Sequence, residues 1–178
     1  MSRRANGTFI STGVLKFGIS PNQLVFTQQN ASSTQIVRSA LVPFSAAQMY
    51  CLVADVAAYP QFLPWCSAAQ VHEADEVSMH ASLTIAKGPL HKRFTTKNRL
   101  FPQRRIEIAL VDGPFDHLNG CWSFEELGND GARITLELEF DVSGALLRRT
   151  LIPVFSQIGN TMVDAFCQRA RALYRRAG

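Results

Sequence analysis

Residues 144–176 read GALLRRTLIPVFSQIGNTMVDAFCQRARALYRR. Leu147, Leu151, Phe155, Ile158, Met162, Phe166, Ala170 and Leu173 recur here at three- and four-residue steps, the spacing that lines one face of an α-helix. Arg148, Arg149, Gln157, Asn160, Asp164, Gln168, Arg171 and Arg175 fall mostly on the opposite face. A helix of roughly 30 residues is about 45 Å long. An apolar stripe of that length needs a cover of matching length. Pro153 and Gly159 interrupt the stripe. Because Pro153 has no N–H for the carbonyl of Arg149, the reading predicts a kink or an irregular turn there.

The cover is written upstream. Gln35 to Phe44 reads as a strand. Ser45 with Gln48 three residues later is a capping box, and Phe44 with Met49 a hydrophobic staple, so a short helix is predicted over Ala46–Ala54. Asp55 opens a second start signal, Pro60 fits only a first turn or a loop, and Pro64 ends the segment. From Ser67 the period changes to two. Met79, Ala81, Leu83 and Ile85 alternate with His80, Ser82 and Thr84. After a Gly88-Pro89 turn, Phe94 and Leu100 alternate loosely with Arg93, Thr95, Lys97 and Arg99. Ile106, Ile108 and Leu110 precede a turn at Asp112-Gly113-Pro114-Phe115, and Trp122 and Phe124 follow it. After the Asn129-Asp130-Gly131 turn, Ile134, Leu136, Leu138, Phe140 and Val142 face one way, and Arg133, Thr135, Glu137, Glu139 and Asp141 the other. One strand, two short helices, six strands and a long helix make an α+β fold, with an antiparallel sheet curled around the last helix.

Length and composition set the limits. The chain has 178 residues, 47% of them hydrophobic, enough for one domain with a real core. No apolar run approaches the ~18 residues of a membrane span. The four cysteines (Cys51, Cys66, Cys121, Cys167) lie far apart with no CxxC pair, so they read as small core residues in a reducing compartment. Residues 1–33 are polar and carry no acid. Their composition suits a disordered N-terminal extension, with an organelle transit peptide as the other reading.

The residues offer little to catalysis. Glu107, Glu125, Glu137 and Glu139 all take the outward phase, so no carboxylate pair faces inward. The histidines have no ligand spacing, no nucleophile motif accompanies them, and His72 and His80 read as surface strand residues. Neither a metal nor a cofactor is expected. The stretch Lys87–Arg105 is different. It holds seven of the chain's 18 Lys and Arg (Lys87, Lys92, Arg93, Lys97, Arg99, Arg104 and Arg105) and no acid. On adjacent strands their outward members form one positive patch. That patch suits RNA phosphate or anionic lipid headgroups, unless it is only a solvated sheet face.

Several strings resemble one family. They are Leu41-Val42-Pro43-Phe44-Ser45, Met49-Tyr50, Asp55-Val56, and Tyr59-Pro60-Gln61-Phe62-Leu63-Pro64-Trp65-Cys66. Phe94-Thr95-Thr96-Lys97-Asn98, Leu110 through Phe115, and Met162-Val163 with Ala165-Phe166 and Arg169-Ala170 complete the set. In this order, from about Thr34 to Tyr174, they resemble the coenzyme Q-binding START-like family, whose bacterial branch includes the ribosome association toxin. The resemblance implies a helix-grip fold with an apolar cavity, and a START-like ligand-binding domain over residues 34–178. It also implies one of two functions. One is non-enzymatic binding of a prenylated quinone, ubiquinone or a precursor, in support of respiration. The other is binding to the RNA of the large ribosomal subunit, which blocks subunit joining. A cytoplasmic protein is expected, peripheral to an anionic membrane surface if it meets one, and DNA is not expected as a partner.

The implied cavity would be lined by Leu83, Ile85, Phe94, Ile106, Ile108, Leu110, Trp122, Phe124, Leu136, Leu138 and Phe140 of the strands. Leu151, Phe155, Ile158 and Met162 of the helix would close it. Phe62, Leu63 and Trp65, with Phe115 of the later turn, would form a lid at its entrance, or else simply cap the core. An enzyme of the polyketide cyclase type on the same fold is disfavoured, because no acid points inward.

Overall fold

The computed structural model describes residues 33–128 and 131–174. The expected extension therefore lies outside the described residues except for its last one, and so does the end of the chain. The strands are β1 (Thr34–Val42), β2 (Cys66–Ala74), β3 (Ser78–Lys87), β4 (Leu90–Phe101), β5 (Arg105–Asp112), β6 (His117–Glu126) and β7 (Ala132–Asp141). Helix α1 (Ala46–Ala54) and a 3-10 turn (Val56–Gln61) link β1 to β2, and α2 (Ala145–Tyr174) follows β7. The strands form one antiparallel sheet in the order β1-β7-β6-β5-β4-β3-β2. Neighbours in sequence are neighbours in space except at β1, which crosses to pair with β7 from Thr34↔Phe140 to Val42↔Ala132.

The strand with the strictest alternation shows how the sheet is held. Ile134, Leu136 and Phe140 of β7 are fully buried and Leu138 nearly so, while Arg133 and Glu137 are exposed. One face is dry against α2 and the other wet, as alternation requires. Helix α1 begins as its capping box demands. Gln48 N donates to Ser45 Oγ at 3.1 Å, and Ser45 N donates to Gln48 Oε1 at 2.9 Å. Glu126 adds a contact across 80 residues of sequence, its Oε2 accepting from Ala46 N at 2.7 Å. A carboxylate at a helix N-terminus meets the unsatisfied N–H groups and the positive end of the dipole.

Three sequence expectations change in detail. The first strand stops at Val42 rather than Phe44, because Pro43 has no N–H to give the ladder and Phe44 turns into the core. Leu173 leaves the apolar stripe and is exposed, because Tyr174, one position on, takes the inward place in the last turn, its ring against Phe44. The thiols also divide: Cys66 and Cys167 are buried, Cys121 is half-buried and Cys51 is exposed.

Pro153 and Gly159 do not break α2, which runs through both as one helix. Pro153 lies on the exposed side. Gly159 has a packing role. A Cβ there would stand 2.8 Å from Ile36 Cδ1 and 3.2 Å from Leu138 Cδ1, so its lack of a side chain sets how closely α2 approaches β1 and β7. The buried face is accordingly wider than a single stripe, with Gly159, Val163 and Cys167 beside Leu151, Phe155, Ile158, Phe166 and Ala170.

Candidate ligand-binding site

Between the helix-facing side of the sheet and α2 lies an apolar cavity of about 60 Å³. Trp65, Leu83, Phe94, Ile108, Trp122, Leu136, Leu138, Phe155 and Met162, all expected from the sequence, line it. Val56, Tyr59, Ala81, Thr96, Asn98 and Leu118 line it as well and were not in the expected set.

The other expected lining residues do not reach the cavity, for a common reason. Helix α2 lies closest to β1 and β7, and inward side chains of the other strands fill most of the space beside it. Leu63, Ile85, Ile106, Leu151 and Ile158 are closed into solid core on either side of the cavity. Phe115 and Phe140 pack against Phe155 with ring centroids at 4.8 and 4.7 Å and plug one end. Phe124 stacks on Trp122 and meets Tyr50 edge-on, towards α1. Leu110 borders the turn that follows β5 and is only half-buried. That turn sits close against β4 because Gly113 has φ +152°, and a Cβ on it would come within 2.7 Å of Phe94 Cβ.

Phe62 is half-buried outside the cavity, at the wall of a more open groove of about 480 Å³. Phe62, Pro64 and Trp65 form one side of this groove, Lys87 contributes from β3, and Gln157, Thr161, Asp164, Ala165 and Gln168 form the α2 side. Trp65, 5% exposed, belongs to both the groove and the inner cavity and is the partition between them. The loop that carries it is anchored rather than free. Tyr59 and Phe62 each meet Phe166 edge-on, and the Tyr59 hydroxyl donates to Val53 O at 2.7 Å. Arg169 lies over the Phe62 ring at 5.3 Å and donates from Nη2 to Gln61 Oε1 at 2.8 Å.

No residue lining the cavity carries a carboxylate, an amine, a guanidinium or an imidazole. Burial pushes the pKa of the Tyr59 hydroxyl far up, and burial raises that of the Cys66 thiol to about 11, so both stay neutral at ordinary pH. His72 and His80 lie on the outer face of the sheet. His72 Nε2 is 2.8 Å from Ser82 Oγ, which in turn is 2.7 Å from Thr95 Oγ1. His80, its ring 5.2 Å from that of His72, is half-buried rather than fully exposed. Neither imidazole enters the cavity. Among the described residues no cluster of His, Cys, Asp and Glu has the makings of a metal site.

The basic run lies mostly on that outer face, but not as an acid-free patch. Glu107 of β5 is paired in register with Arg99. Its carboxylate takes Arg99 at 3.4 Å and Arg105 at 3.0 Å, and both guanidiniums also lie over the Phe101 ring. Arg93 donates to Gln70 Oε1. Lys92 has the phase of Phe94 rather than of Lys97, and Lys87 borders the groove. Glu107, Glu125, Glu137 and Glu139 keep their outward phase, so β5 to β7 turn the same face acidic. Along β4 this face is the basic half, through Arg93, Lys97 and Arg99; along β5 to β7 the acids prevail, with Arg105 paired to Glu107 and Arg133 to Glu125 at 2.7 Å.

An antiparallel sheet gripping one long helix around a neutral apolar cavity defines a helix-grip protein of the START type. The chain belongs to the polyketide cyclase/dehydrase and lipid transport family, matched over residues 42–167. It is 56% identical over 142 residues to the ribosome association toxin RatA of Pseudomonas aeruginosa, an overlap spanning 80% of this chain and 99% of that protein. It is 33% identical over 143 residues to the mitochondrial coenzyme Q-binding protein COQ10 homolog B of Xenopus laevis, across 78% of this chain and 58% of that one. Among solved structures, the Zhui aromatase/cyclase of Streptomyces sp. R1128 superposes with a TM-score of 0.74 at 18% identity, covering 82% of this chain and 98% of that one. That last likeness is one of fold.

Proposed function

We propose that the chain is a non-enzymatic carrier that holds a prenylated quinone, ubiquinone or a precursor, between sheet and helix in support of the respiratory chain. The observation that carries this reading is a neutral, apolar cavity separated by one indole from an open groove. The likeness to a coenzyme Q-binding protein supports it. An apolar engineered cavity of about 150 Å³ accepts benzene. At about 60 Å³ this one is smaller, so a quinone ring enters only by displacing lining side chains. Met162, half-buried and unbranched, is the most adaptable of them. Each five-carbon prenyl unit buried then contributes roughly 3–4 kcal/mol before ordering costs. Protein purified from a quinone-producing host is expected to yield quinone on extraction into organic solvent. Repeated extraction without lipid by mass spectrometry, together with no uptake of added quinone, overturns the proposal.

A second reading has its own support, the 56% identity to a protein named for ribosome association. In this reading the basic half of the outer face meets RNA of the large ribosomal subunit. Co-sedimentation with large subunits should then weaken steeply with salt, since every phosphate contact releases counterions. Charge reversal at Arg93, Lys97 and Arg99, which share the outward phase of β4, is expected to lower it by about tenfold or more while leaving quinone uptake intact. Arg99 carries the least of this effect, because Glu107 already engages it. Unchanged sedimentation in the reversed variant removes the outer face from consideration.

A further inference from the structure

Three polar side chains are buried among the described residues: Ser82, Thr96 and Asn98. Ser82 is engaged on the outer face by His72 and Thr95. Thr96 and Asn98 are on β4 in the phase of Phe94 and face the other way, into the cavity. Their surroundings are apolar. Asn98 stands between Met79 and Ile108 on the neighbouring strands, and Thr96 between Ala81 and Leu110. Asn98 is 7% exposed, and its Oδ1 has no hydrogen-bond partner. A buried amide left unpaired costs stability, and native proteins rarely carry one without a use for it.

We infer that Asn98, together with Thr96, is the polar anchor of the cavity, taking an uncharged ring oxygen of the bound lipid. This rests on the carrier reading and adds the recognition chemistry to it. The side chains narrow the ligand class. No charge lines the cavity to match a carboxylate, phosphate or ammonium group, so an ionic headgroup is poorly served. A primary amide offers both N–H donors and a carbonyl acceptor, and a hydroxyl can act either way. The pair can donate to the carbonyl of an oxidised quinone ring and accept from the hydroxyl of its reduced form. A lysine or an aspartate at either position would favour one of the two states. The anchor is therefore suited to carrying both oxidation states of one ring.

The test uses two probes with the same ten-carbon tail, decylubiquinone, whose ring carries oxygens, and decylbenzene, whose ring carries none, each titrated by calorimetry. Asn98→Leu is expected to bind decylubiquinone about tenfold more weakly than the natural protein, the factor set by one lost net hydrogen bond, and decylbenzene no more weakly. Thr96→Val, nearly identical in shape, is expected to lose severalfold in the same direction, and it carries the test should the leucine variant fold poorly. Natural protein that binds decylubiquinone while both variants bind it equally well overturns the anchor and leaves the carrier standing. Natural protein that binds neither probe removes the carrier reading and the anchor with it.

Discussion

Trp65→Ala is expected to cost about 3–5 kcal/mol of stability, the range for truncating a buried indole, and at the same time to speed ligand exchange. Both effects follow from one position. The indole is 5% exposed and packs as core, and it is also the wall between the inner cavity and the outer groove. Removing it joins about 60 Å³ of enclosed space to a groove of about 480 Å³. The loop should stay attached, because Tyr59, Phe62 and Arg169 hold it to α2 independently of Trp65. Denaturant midpoint and quinone exchange rate, measured on this one variant, separate the two roles. A large loss of stability with unaltered exchange means that Trp65 is only a cap on the core, and the entrance must then be sought elsewhere.

Gly159→Leu is expected to destabilise by about 1–3 kcal/mol or more, as overpacking of a filled interior does. The space is already taken, with Ile36 Cδ1 and Leu138 Cδ1 within 2.8 and 3.2 Å of a Cβ at this site. Gly159→Ala is the informative partner. Its single methyl meets only the tips of two flexible side chains, and alanine recovers up to about 1 kcal/mol of helix propensity, so near-neutrality is expected. The leucine variant should also speed hydrogen exchange in β1, the strand against which α2 leans at this point. Equal urea midpoints for the two variants would show that the contact between α2 and the sheet is slack rather than tight.

The extent to which the fold is legible in the chain can be judged from particular residues. Ser45 with Gln48 marks the start of α1, because a capping box is a local device whose bonds close within one turn. Strand β7 is legible because one of its faces is wet and the other dry, which forces the period of two. The cavity is another matter. Its volume depends on how deeply α2 settles, and a glycine that reads as an interruption of the helix sets that depth. Phe94, Thr96, Asn98 and Leu100 share one parity, so the inward course of β4 was present in the sequence. It was obscured because two of the four are polar, and polar residues are taken to face water. Glu107 was out of reach for a further reason. Its contact with Arg99 depends on the pairing of β4 with β5, and a count of charges along the chain carries no register; Arg105 is two residues before it on the same strand.

The crossing of β1 to the far edge of the sheet has a consequence for how the chain is made. Strands β2 to β7 follow one another as a meander, and each can pair with its predecessor as soon as both have left the ribosome. Strand β1 is synthesised before any of them and has no partner until residues 132–141 appear. Throughout that interval an extended segment with Val37 and Leu41 on it stays unpaired, and it is the most sequence-distant pairing in the sheet that finally secures it. The last helix then settles on the finished sheet, and its terminal Tyr174 reaches back to donate to Gln48 O at 3.1 Å. Pairing of β1 can therefore be completed only late in synthesis, and a nascent chain that stalls before β7 leaves this strand open to foreign edges or to chaperones.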